Sequence, residues 1–334
     1  MRVGILCEHS DPARGGAESY LAALTERLRL HGHDVIVAAR TGPHARPMSN
    51  DPGHPDRVLV YRDEFLPWLR DEGADVVLTT APVEGCEFFQ PHNGALAVSV
   101  PSHYSSLPWG ARHFRGWNPA RRAHFVRLEA HEAAAARAPT TVLAVSPRVE
   151  RDFLEHYPGS RVLVLRPGVD LDMFQPPPNP NGPLLFVSGN FRLKGLGPLL
   201  RTVRRNPPLR LTIAGGKWRR PAPRAEFLGR VEDMPAFYRS GSLLVHPTFY
   251  DSAAGVVLEA LASGLPVVSS VHDGNSDLAV EAGGAAIQDP RDTEALAHAI
   301  EQALSAADPE RSRAVAERYP AAAMLDRVVE TLTG

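Results

Sequence analysis

Asp251 and Glu259 stand eight residues apart in HPTFYDSAAGVVLEALASGLPVVSS, residues 246–270, with Ala253, Ala254, Gly255 and Val256 between them. A carboxylate accepts hydrogen bonds from paired hydroxyls. Small residues at the start of a helix let an anion approach bare backbone N–H groups, which the helix dipole makes attractive to phosphate. On a helix axis, eight residues span about 12 Å, close to the sugar-to-ribose distance of a nucleotide diphosphosugar. A plain helix–strand unit with two solvated acids fits the same residues.

Other groups carry related chemistry. Arg192 and Lys194 lie in GNFRLKG, directly after an apolar run, where two cations could neutralise a diphosphate leaving group or simply face water. Stabilising developing charge is usually the largest catalytic contribution. Gly15 and Gly16 follow the first apolar run and precede a helical pattern, so their amides could meet a diphosphate or an acceptor, or form a plain tight turn. The missing GxGxxG speaks against a nicotinamide or flavin site. His92 sits in FFQPHNGAL among Pro, Asn and Gly, and one histidine of fourteen is uninformative alone. Asp170-Leu171-Asp172 has the form of a metal-binding DxD. The stretch 111–127 holds five arginines (Arg112, Arg115, Arg121, Arg122, Arg127), two histidines, Phe114, Trp117 and Phe125, and no acid. Basic residues interleaved with aromatics suit an anionic membrane surface or a phosphorylated acceptor, and equally a solvated helix face.

These residues need elements to position them. A strand Val3–Cys7, the Gly15-Gly16 loop, a helix Glu18–Leu30 and a strand Val35–Ala38 read as an opening βαβ unit. Further buried strands are expected at Val76–Thr79 and Leu143–Val145, the latter running into Ser146-Pro147, a helix start. A second alternation comprises Leu184–Ser188, helix Leu196–Arg204, Leu209–Ala214, Leu243–His246, the 246–270 stretch and Ala286–Gln288. Gly264 should end the helix carrying Glu259, and Pro266–Ser270 should be a strand buried on both faces. Proline-rich sequence through QPPPNPNGP reads as a semi-rigid hinge. Strands alternating with helices predict parallel α/β layers, with the ligand cleft at the carboxyl ends of the strands.

The bulk numbers agree. The 334 residues suffice for two domains, and 22% charged with 43% hydrophobic residues is ordinary for a globular chain. A net charge of −2 argues against a nucleic-acid binder. Cys7 and Cys86 lack metal-ligand spacing. No signal-peptide pattern or membrane-length apolar run is evident, so a cytoplasmic location is expected.

The 246–270 stretch resembles the donor-binding signature of the retaining family-4 glycosyltransferases of GT-B fold: an acid, seven residues, then Glu. Asp251 takes the first acidic place, Ala253 and Ala254 replace the usual Phe-Gly, and Glu259 matches. GGAESYLAAL resembles the family's glycine turn, GNFRLKG its Arg…Lys-Gly segment with shorter spacing, and Gly229-Arg230-Val231 with EDMPAFYRSGSLLVHP its base-binding turn. The resemblance implies two Rossmann-like doubly wound domains facing across a cleft: residues 1–168 acceptor-side, 169–183 the hinge, 184–316 donor-binding, and 317–334 a helix returning to brace the first domain. It implies a hexose moved, without a cofactor or metal, from a UDP- or GDP-sugar to an acceptor hydroxyl on a glycolipid or glycan precursor. Arg192 and Lys194 would hold the diphosphate, Glu259 the ribose, and Asp251 the sugar. Amides at Ala253–Val256 would meet phosphate and sugar, and the main chain at Arg230 and Val231 the base. His92 would orient the sugar and stabilise an oxocarbenium-like centre. The DLD segment resembles an ordinary hinge entry rather than a metal site. The basic stretch is similar to an insertion in lipopolysaccharide-core glucosyltransferases, implying peripheral membrane or acceptor contact. A sugar-nucleotide 2-epimerase of the same fold and a non-catalytic nucleotide-binding partner subunit remain alternatives.

Overall fold

The computed structural model describes residues 1–46, 57–107, 119–137, 139–216 and 222–334, with side chains omitted at 57 and 119–122. The chain divides into two compact units. The first takes in residues 1–101, 109–167 and 323–334, and the second 102–108 and 168–322.

The first unit is built on one parallel sheet in the order β2-β1-β3-β4-β5-β6. Its strands are β1 (Arg2–His9), β2 (Asp34–Thr41), β3 (Val76–Thr79), β4 (Phe88–Phe89), β5 (Thr141–Ala144) and β6 (Arg161–Val164). β1 pairs with β2 on one side and β3 on the other, Ile5 lying opposite Val37 and Leu78. Val3, Ile5, Leu6 and Leu78 are fully buried, as parallel strands covered on both faces should be. Helix α1 (Gly16–Leu30) covers one face through Leu21, Leu24 and Leu28. Helices α2 (Arg57–Val60) and α3 (Leu66–Asp71) flank a short π-helical turn, and Phe65 and Leu69 join Leu6 and Val77 in a second cluster. Then follow α4 (Leu96–Ser105), α5 (Pro119–Ala135) and α6 (Pro147–His156), the last capped by Ser146 and opened by Pro147.

The second unit repeats the architecture in the order β12-β11-β10-β7-β8-β9. These are β7 (Leu184–Ser188), β8 (Leu211–Gly215), β9 (Ala225–Gly229), β10 (Leu243–His246), β11 (Val267–Ser270) and β12 (Ala285–Ile287). Its helices are α7 (Leu196–Arg205), α8 (Met234–Ser240), α9 (Gly255–Ala262), α10 (Ser276–Glu281), α11 (Thr293–Ser305) and α12 (Pro309–Ala316), and the last helix, α13 (Ala321–Thr333), belongs from residue 323 to the first unit. The strand order reverses between β7 and β10, and a doubly wound sheet binds ligands beyond the carboxyl ends at that point.

The proline-rich stretch expected as a hinge falls within the second unit, anchored at a few points while Gln175, Pro176, Pro177, Asn179 and Pro180 stay exposed. Val169 and Phe174 are buried in its core, and Arg313 Nη1 donates to the carbonyls of Phe174 (2.6 Å) and Ala262 (2.9 Å). A Cβ on Gly264 would sit 3.1 Å from Pro176 and 3.3 Å from Pro178, so the glycine that ends α9 also admits the prolines. From α13, Val328, Val329 and Leu332 are buried in the cluster holding Val3, Ile5 and Leu24, and Arg27 meets Asp326 through two 2.5 Å hydrogen bonds. Cys7 and Cys86 are buried free thiols, each pushed up to about 12 chiefly by burial.

Candidate functional site

The turn after β7 is shaped by Asn190, whose amide bonds Ser188 Oγ (2.8 Å) and whose side-chain carbonyl accepts from Leu193 N (3.2 Å). Gly195 closes it in the left-handed region, φ 78°, where an added Cβ would fall 2.0 Å from the Pro247 carbonyl. Phe249 N donates to Leu193 O at 2.8 Å. The cationic turn is thereby laid directly on the loop that follows β10.

Lys194 Nζ reaches Asp251 Oδ2 at 2.5 Å and the Tyr250 carbonyl at 3.1 Å, and His246 Nε2 lies 3.3 Å from the same carboxylate oxygen. Burial alone would raise the Asp251 carboxyl. The Lys194 ammonium and His246 more than offset it and hold the group well below the usual carboxylate range. Asp251 is therefore an anion at neutral pH. Arg192 is exposed on the same turn.

Asp251 does not lie on the helix. It forms a parallel bridge to Asp273 within the loop, and α9 begins at Gly255. The helical rise therefore applies only from Gly255 to Glu259, about 6 Å, and the 12 Å helical ruler between the two acids does not hold. Ala254 is the N-cap and supplies no side-chain cap. Its own N–H is also spent, donating to Asp273 Oδ1 at 3.2 Å. Of the Ala253–Val256 amides expected to meet a ligand, Ala254 is thus excluded. Gly255 and Val256, first on the helix, have no intrahelical acceptor to reach. Glu259 is half-buried one turn on, its Oε1 3.9 Å from where a Gly255 Cβ would stand, so it reaches back toward the open helix start. Tyr238 Oη donates to Glu259 Oε2 at 2.7 Å, and burial raises the Glu259 carboxyl.

Gly229, φ 69°, ends β9 and Asp233 caps α8, so exposed Arg230 and half-buried Val231 form the connecting turn, Val231 touching the core. In the DLD segment, Asp170 Oδ1 accepts from the amides of Asp172 (3.0 Å) and Met173 (2.9 Å), a local turn.

In the first unit, α1 begins directly at Gly16, and a Cβ there would meet nothing within 4 Å. The helix carries Tyr20, whose ring packs edge-on to His92 with centroids 5.2 Å apart, while Gln90 Nε2 donates to Tyr20 Oη at 3.1 Å. The glycine turn and the His92 loop thus share one neighbourhood. Burial pushes His92 down to about 4, so its imidazole is neutral at neutral pH. Beyond that loop, buried Glu132 of α5 accepts from Leu96 N at the start of α4 (2.5 Å) and from Tyr157 Oη (2.6 Å). Arg112, Arg115 and Trp117 lie outside the described residues, as do the side chains of Arg121 and Arg122.

Asp273, Asn275 and His246 were not singled out by residue type. The available signal was a buried strand ending in two serines, Val267–Ser270, followed by the turn sequence HDGN.

Two parallel doubly wound sheets, one with a cation–carboxylate cluster at its switch point, define a GT-B glycosyltransferase architecture. Residues 14–173 match the model of Glycosyltransferase Family 4, and residues 182–306 that of Glycosyl transferases group 1. The chain belongs to the family-4 glycosyltransferases. It is 29% identical over 312 residues to the phosphatidyl-myo-inositol mannosyltransferase of Mycobacterium tuberculosis, covering 82% of this chain and 78% of the relative. Its fold matches WaaG, a glycosyltransferase involved in lipopolysaccharide biosynthesis, with TM-score 0.79, 19% identity, and 99% and 100% of the two chains covered. It also matches Anabaena HepE in complex with UDP-glucose, with TM-score 0.72, 17% identity, and 100% and 99% covered.

Proposed function

We propose that the chain is a retaining, metal-independent hexosyltransferase using a UDP- or GDP-sugar as donor. The observation that carries this reading is the grouping at the β7/β10 switch point: cations on one turn, open amides at the start of α9, and Glu259 one helical turn further on. Glu259 is assigned the ribose hydroxyls. Gly255 and Val256 N–H, with Arg192 and Lys194, take the diphosphate. Asp251, anionic and fixed by Lys194 and His246, takes a sugar hydroxyl through its second oxygen. Charge on the departing diphosphate is met by the two cations and the helix start, which supply the neutralisation a divalent ion gives elsewhere.

Retention follows from a front-face displacement. The acceptor oxygen bonds the anomeric carbon on the face the diphosphate leaves, and the acceptor proton passes to a leaving phosphate oxygen. No protein nucleophile takes part. Neutral His92 is assigned to hydrogen-bond the sugar. The basic 111–127 stretch, together with the phosphatidyl-inositol named for the mycobacterial relative, supports a glycolipid acceptor at an anionic surface.

Glu259→Gln is expected to weaken nucleotide binding by about tenfold or more, the loss of hydrogen bonds to a charged group. Unchanged affinity by calorimetry would remove Glu259 from the site. Early NMR spectra of the product should show the donor's anomeric configuration, and an inverted product would overturn the retaining assignment.

A further inference from the structure

The segment after β11 has no part in the assignments above, yet it grips the donor loop on both sides. Asp273 is 1% exposed. Its Oδ1 accepts from Ala254 N (3.2 Å) and Asn275 N (2.9 Å), and its Oδ2 from Ser269 Oγ (2.8 Å). Asn275 Nδ2 returns a hydrogen bond to the Ala254 carbonyl at 3.0 Å. Asp251 N donates to His272 O (3.0 Å), and Gly274 N to Asp251 O (2.9 Å). Residues 272–275 thus hold both ends of the Asp251–Ala254 loop.

A helix usually fixes its start with a Ser, Thr or Asp at the N-cap, whose side chain occupies one of the first amides. Such a cap on α9 would cover groups a phosphate needs. Here Ala254 covers none, and the anchoring comes from outside the helix, through the cap residue's own N–H and carbonyl. Loop fixation and ligand presentation are separated. We infer that Asp273, supported by Asn275, is a positioning residue for the diphosphate: it acts through Ala254 to aim the open amides of Gly255 and Val256. This rests on the nucleotide-sugar reading of the site. A carboxyl suits the task because its two oxygens meet three hydrogen-bonding groups at once, leaving neither oxygen buried and unsatisfied. The titratable groups that act on Asp273 are Asp251 and His246, and His272 precedes it in the chain.

The test uses the full chain, with UDP and GDP and their nucleosides uridine and guanosine as probes, followed by ligand-observed NMR. In Asp273→Ala, affinity for the nucleoside diphosphate that the wild type binds should fall about tenfold or more, while the matching nucleoside stays within about threefold. Asp273→Asn, whose amide oxygen can still accept from Ala254 N, should recover most of the loss. Asn275→Ala should show the same selective pattern more weakly, and serves if Asp273→Ala does not fold. Equal loss of nucleoside and diphosphate would show a merely structural role and overturn the proposal. So would full diphosphate affinity in Asp273→Ala or in Asn275→Ala, or an Asp273→Asn no better than alanine. A wild type that binds neither diphosphate would fail one step earlier, at the nucleotide-sugar reading, and take the proposal with it.

Discussion

Single residues carry the sharpest consequences of burial. Glu132 is almost fully buried between α4, α5 and Tyr157, and burial pushes its carboxyl up to about 8 despite two hydrogen bonds. Between an ordinary carboxylate value and that pH, the folded state holds a proton that the unfolded state has lost. Stability from this group is therefore full only below the ordinary carboxylate value, declines from there as pH rises, and is lost once pH passes about 8. Glu132→Gln keeps the acceptor for Leu96 N without the titration. Its melting temperature should exceed that of the wild type at pH 9 and approach it at pH 6, and parallel curves would refute the assignment. His92 runs the other way: depressed to about 4, it stays neutral through the physiological range. Its charge therefore adds no step to the activity profile between about pH 5 and 8. Glu259 was legible as a residue because its neighbours form a recognisable helix start. Asp273 was not, since its partner Ala254 lies nineteen positions away and meets it only through folding.

At the scale of elements, continuous apolar runs were read correctly: Val76–Thr79, Leu184–Ser188 and Leu243–His246 are strands at the expected residues. Three strands escaped. β4 is two residues long, while β6 and β9 are sheet edges whose burial alternates, so none offers the unbroken apolar run of a central strand. Proline content marks a stiff segment in the sequence, but not the contacts that anchor it, which come from Arg313 and Gly264 far along the chain. The turn after β7 depends on Gly195. Gly195→Ala places a side chain in the left-handed region, costing about 1–2 kcal/mol from conformation alone, and drives its Cβ into the Pro247 carbonyl. The variant should melt lower and lose donor binding by displacing Lys194, while normal binding would dissociate the turn from the site.

For the whole molecule, the last twelve residues belong to the first unit although the preceding stretch belongs to the second. Removing residues 321–334 would expose Val3, Ile5 and Leu24 where Val328, Val329 and Leu332 now cover them. At about 25 cal/mol per Å² of apolar surface, that uncovering should leave the truncated protein aggregated, as light scattering would show; a truncation melting like the full chain would contradict the packing. No helix among the described residues is long and apolar enough to cross a membrane. In the proposed reading the basic 111–127 stretch meets an anionic surface, so replacing Arg121 and Arg122 by Gln should reduce sedimentation with anionic vesicles. The central claim is that the second unit holds a nucleotide diphosphosugar. Thermal melting of the full chain against UDP-glucose, UDP-galactose, GDP-mannose and NAD tests it directly. A donor at about a hundred times its dissociation constant adds about 2.7 kcal/mol to stability, so one nucleotide sugar should raise the melting temperature of the wild type and do so much less for Glu259→Gln. A shift with NAD and none with any nucleotide sugar would contradict the account.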